Sequence, residues 1–98
     1  MKCTSCQAQI DLIAALDHST RSWPHLQIVL CVCPQCGARL YLRFEKDTAH
    51  LVRAASALGP RWDCLDTEHL PGITFRSEHK GLHVRIDRLK YFVPAKQV

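Results

Sequence analysis

Two C-x-x-C pairs, Cys3/Cys6 and Cys33/Cys36, separated by 26 residues, constrain this chain more than any other feature. One such turn sets two sulfurs on one side of an ion, and two turns close a tetrahedral shell of soft ligands. Six cysteines in 98 residues could also form a disulfide framework. The paired spacing, however, reads first as metal binding in a reducing compartment. It predicts one structural zinc ion held by Cys3, Cys6, Cys33 and Cys36. Cys31 and Cys64 are left over. Cys31 reads as a small buried thiol, and Cys64 with His69 as at most a partial second site, because two ligands from one loop rarely suffice.

The second turn is the stronger of the two, since Pro34 shapes it and Gly37 accepts a left-handed backbone. The first, Cys3-Thr-Ser-Cys6-Gln7, lacks that glycine. Leu26, Ile28, Leu30 and Val32 alternate with Gln27, Val29 and Cys31 into Cys33, and Leu40, Leu42 and Phe44 alternate with Arg39, Tyr41 and Arg43 after Gly37. The reading is strand, metal turn, strand. This pattern resembles the zinc-ribbon family over Cys3 to about Phe44. The resemblance implies a structural module of the kind found in transcription and translation factors, ribosomal proteins and adaptors, with the same four ligands and a metal that is seldom catalytic.

Three other uses of these cysteines compete. Iron in a rubredoxin-like site would use the same four sulfurs, but such carriers are usually acidic. A thiol-redox protein using Cys33 and Cys36 would need a helix where Arg39 to Phe44 alternates as a strand, and would leave Cys3 and Cys6 unexplained. A zinc enzyme needs an open coordination position, which four cysteines fill. The chain is therefore not expected to be an enzyme.

Beyond the ribbon, Asp47-Thr48 reads as an N-cap and Gly59-Pro60 as a stop, predicting a helix over about 48–58 with Leu51, Ala54, Ala55 and Leu58 on one stripe. Ile10 to Leu16 has no clean period and fits either a short strand or a helical turn. Asp17 to Pro24 reads as a loop, and Arg61 to Pro71 as an irregular connection. A C-terminal hairpin is expected over about 73–86, with Phe75 facing Val84 and Ser77 facing Leu82, followed by an edge strand at 89–93. The expected fold class is α+β. It consists of a small zinc-ribbon-like antiparallel β-structure with one helix and a C-terminal β-hairpin, in a single domain spanning 1–98 (ribbon 1–46, helix plus hairpin 47–98).

All of the formal net charge of +4 falls in residues 71–98, where Arg76, Lys80, Arg85, Arg88, Lys90 and Lys96 oppose Glu78 and Asp87. Alternation puts Arg76, His83 and Arg85 on one hairpin face, with His79 and Lys80 at its turn. Arg76, His79, Lys80, His83, Arg85 and Arg88 are thus the candidate anion or nucleic-acid contacts. Trp23, Trp62, Phe75 and Tyr91 read as packing residues rather than as a base-stacking row. The expectation is a zinc-binding regulatory module whose partner is nucleic acid or, alternatively, an acidic protein, with no small-molecule substrate. No apolar run is long enough for a membrane helix. The start Met1-Lys2-Cys3-Thr4 lacks the make-up of a secretory signal, so a cytoplasmic setting is expected.

Overall fold

A computed structural model describes residues 1–54 and 61–95. Its elements are a short helix α1 (Leu12–Asp17) and eight strands: β1 (Arg21–Trp23), β2 (Ile28–Val32), β3 (Arg39–Glu45), β4 (Thr48–Ala54), β5 (Trp62–His69), β6 (Thr74–Glu78), β7 (Gly81–Ile86) and β8 (Leu89–Pro94). Strands β1 to β5 form one antiparallel sheet in chain order, and β6 to β8 a second. The fold is therefore mostly β, which corrects the α+β expectation.

The expected helix at 48–58 is the main error. Residues 48–54 are β4, and residues 55–58 lie outside the described part of the chain. Asp47, read as an N-cap, instead takes a left-handed backbone (φ 55°) between Glu45 and Thr48, which pair across a two-residue turn. That turn sends the chain back along β3 and imposes a period of two. Ala49 and Leu51 point into the core, with Leu51 opposite Leu42 and Ala49 opposite Phe44. Local helix propensity lost to burial of one sheet face.

Two further connections also prove to be regular structure. The segment read as a loop contributes β1, and the one read as an irregular connection contributes β5, which pairs with β4 through a bulge between Leu51 and Val52. The ambiguous stretch after Ile10 is α1, capped by the Asp11 carboxylate accepting from the Ile13 amide. The C-terminal hairpin has the register expected from alternation, Phe75 opposite Val84 and Ser77 opposite Leu82. Strand β8 adds to β7 through a turn in which Asp87 takes φ 54°.

The core lies between the two sheets. Val29, Cys31, Leu40, Leu42, Phe44 and Leu51 of the first meet Leu82, Val84 and Val93 of the second, and Leu12, Ala15 and Leu16 of α1 join them. Buried Ser22 on β1 donates to the Val93 carbonyl at 2.6 Å, stitching one sheet to the other. Exposed Ser77 ties β6 to the turn that follows β1 by donating to the Pro24 carbonyl at 2.6 Å. Among the described residues no helix is long and apolar enough to cross a membrane.

Candidate metal centre

Each C-x-x-C turn is the tip of a tight antiparallel excursion. Cys33–Cys36 joins β2 to β3 just beyond the last pair, Val32 with Arg39. Cys3–Cys6 closes a smaller loop whose arms meet at Lys2 and Gln9. The two tips share one backbone pattern. The Cys33 amide donates to the Ala38 carbonyl at 2.8 Å and the Gly37 amide to the Cys33 carbonyl at 2.9 Å. In the first tip, the Cys3 amide donates to the Ala8 carbonyl at 2.9 Å and the Gln7 amide to the Cys3 carbonyl at 3.0 Å. Gly37 takes φ 77°, and Gln7 takes φ 65° in the matching place. The glycine missing from the first turn therefore does not change its shape, because Gln7 accepts the left-handed backbone.

The tips bring all four sulfurs together within 4.8 Å of one another. Two edges run between tips: Cys3 Sγ to Cys36 Sγ is 3.7 Å, and Cys6 Sγ to Cys33 Sγ is 3.8 Å. A tetrahedron with metal–sulfur bonds of about 2.3 Å has edges of about 3.8 Å, so these four side chains can hold one metal ion. None of the six cysteines is in a disulfide. The redox reading is disfavoured, because Cys33 and Cys36 each lie within 3.8 Å of a sulfur of the other tip and are followed by a strand.

Electrostatics fit the same use. The Cys6 and Ser5 amides hold the Cys3 thiol down to about 7 against the effect of burial. Cys6 is pushed up to about 11: the Ala8 amide favours its thiolate, but burial and the sulfurs of Cys36, Cys3 and Cys33 outweigh it. Four thiolates so close repel one another, and a divalent cation relieves that repulsion. Asp66 on β5 helps fix the first tip by accepting from the Lys2 amide at 3.1 Å. Amides of Thr67 and Lys2 hold its carboxyl below the usual range.

Cys31 is buried with its thiol directed at the Leu40 carbonyl at 3.6 Å, and burial raises it to about 12, so it stays a neutral core group. Cys64 is exposed beside His50 Nδ1 at 3.6 Å and Thr67 Oγ1 at 3.4 Å. Its register partner is Val52, while His69 lies opposite Thr48, so Cys64 and His69 are not brought together.

The six basic candidates do not form one cluster. Arg76, His83 and Arg85 share the outward face of the second sheet, while His79 and Lys80 occupy the turn at one end of β7 and Arg88 the turn at its other end. Glu78 engages Arg76 at 2.7 Å and His83 at 3.0 Å, contacts that hold its carboxyl low. Sequence reasoning missed two residues of that face, Lys90 opposite Arg85 and Phe92 opposite His83. Phe92 is 48% exposed, with its ring 4.8 Å from that of His83. An aromatic therefore does stand among the hairpin cations, and the β7–β8 register is the signal that finds it.

Comparison with known protein families, characterised proteins and solved structures finds no match to this chain. The class it defines is set by its own geometry: a small β-protein clasped by a four-cysteine cluster able to hold one metal ion.

Proposed function

We propose that this chain is a structural-zinc module that binds nucleic acid rather than catalysing a reaction. Zinc is the metal of choice for a closed shell of four cysteines, and that shell leaves no open position for chemistry. A bound ion would join the amino-terminal loop to the β2–β3 hairpin, so its binding energy would contribute directly to folding.

The observation that carries the nucleic-acid reading is the outward face of the second sheet. Arg85 and Lys90 neighbour the exposed Phe92, and Arg76, paired with Glu78, lies beyond His83 on the same face, so phosphate-attracting cations and a stacking ring share one surface. A shallow recess of about 510 Å³ opens beside Arg76, His83, Arg85 and Lys90. Binding of labelled oligonucleotides measured across a salt series tests this. The expected result is affinity that falls steeply with salt and is weakened in the Arg76→Glu, Arg85→Glu double variant. Absence of binding at low salt contradicts it.

A second reading, a protein partner, has one observation in its favour. Strand β8 lies at the edge of its sheet among the described residues and exposes Leu89 (43%) and Phe92 (48%), the kind of surface that accepts another chain.

A further inference from the structure

The first sheet has a face that its segment charges conceal. Register places Arg21 and Trp23 of β1, Ile28, Leu30 and Val32 of β2, Arg39, Tyr41 and Arg43 of β3, and Val52 of β4 on the side away from the main core. Trp62 of β5, opposite Ala54, completes the row. Ile28 and Val52 are buried yet lie outside the core cluster, because this second apolar layer covers them. Its solvent side is a stripe of three half-buried rings. Trp23 lies 5.8 Å from Tyr41, and Tyr41 lies 5.3 Å from Trp62, centroid to centroid.

Charge on this face has one dominant sign. The Arg21 guanidinium sits 4.9 Å over the Trp23 ring. Arg21 and Arg39 flank a recess of about 370 Å³ floored by Leu30 and Val32. Among the described residues Glu45 is the one acid of the face, at its far end beside Arg43 and His50. Asp63, Asp66 and Glu68, which cancel these arginines in a segment count, pair with Arg53, Leu51 and Ala49 and so belong to the opposite side of β5.

We infer that this face binds single-stranded nucleic acid, its bases against Trp23, Tyr41 and Trp62 and its phosphates near Arg21 and Arg39. The inference rests on the nucleic-acid reading above and adds a preference for unpaired strands. A protein face with a ring row needs bases whose faces are free, which a duplex keeps stacked. Arginines beside the row supply attraction without sequence preference. With strands spaced by about 4.8 Å, five strands span about 19 Å, room for about three or four nucleotides.

The test uses the zinc-loaded full chain and its tryptophan fluorescence, titrated with oligo(dT), with a duplex of the same length, and with heparin as a polyanion without bases. Oligo(dT) should quench and bind at least about ten-fold more tightly than the duplex, and heparin should leave the emission near its starting value. Trp62→Ala should weaken oligo(dT) binding by about ten-fold, the scale of one lost base–ring stack. Arg39→Glu, at an exposed position, should weaken it as well without disturbing packing. Zinc content and circular dichroism show that each variant is folded. Equal affinity for oligo(dT) and duplex, with folded Trp62→Ala and Arg39→Glu binding as the parent does, overturns the inference while leaving nucleic-acid binding intact. Failure of every nucleic acid to bind at low salt overturns both.

Discussion

At the scale of single residues, Gln7 and Gly37 hold the same left-handed position in the two metal turns (φ 65° and 77°). Only one of them is suited to it, since a side chain there costs about 1–2 kcal/mol. A Cβ on Gly37 would meet no atom within 4 Å, so Gly37→Ala isolates the backbone cost and should destabilise the metal-loaded protein by about 1 kcal/mol. Gln7→Gly should act in the other direction by about 0.5 kcal/mol, the relief being reduced by the added freedom of the unfolded chain. Thermal melts in excess zinc read both. Equal effects of the same sign would contradict the equivalence of the two turns. The clustering of the four cysteines was legible because spacing alone carries that signal, whereas the conformation of Gln7 was not, because glutamine gives no hint of a positive φ.

At the scale of elements, turns decided what periodicity could not. Thr48 to Ala54 satisfies a helical stripe and a strand alternation about equally well, and Asp47 settles the choice by turning the chain back along β3. The hairpin of β6 and β7 was legible because its alternation had no helical competitor. The aromatic stripe was not, because Trp23, Tyr41 and Trp62 come from three strands and meet only once the sheet order is known. Joining of the sheets can be tested at two points. Ser22→Ala removes the buried bond to the Val93 carbonyl and should cost about 1–3 kcal/mol, read by denaturant unfolding. A Cβ on Gly81 would collide with the Val93 carbonyl and come within 2.7 Å of the Phe92 ring, so Gly81→Ala should displace β8. An unchanged midpoint for Ser22→Ala, or unchanged amide exchange in β8 for Gly81→Ala, would contradict the respective packing.

At the scale of the whole molecule, a bound ion would make metal and fold one equilibrium, because it would link the amino-terminal loop to the β2–β3 hairpin at the edge of the core. Metal requires thiolates, so binding releases protons and weakens as pH falls. Metal and near-native circular dichroism should therefore be lost together on acidification, and persistence of the fold after metal loss would separate them. Glu78 works in a lower window. Its carboxyl is held below the ordinary value of 4.5 chiefly by His83, so its contribution is present above that value and disappears as pH falls through the folded-state value. The most direct test of the account is native mass spectrometry combined with thiol labelling of the protein prepared without chelator. One zinc per chain, released on denaturation, with Cys64 labelled at once and Cys3, Cys6, Cys33 and Cys36 labelled only after the metal leaves, is the predicted result. A chain that carries no metal, or that labels at Cys3, Cys6, Cys33 and Cys36 while the metal is retained, would contradict it.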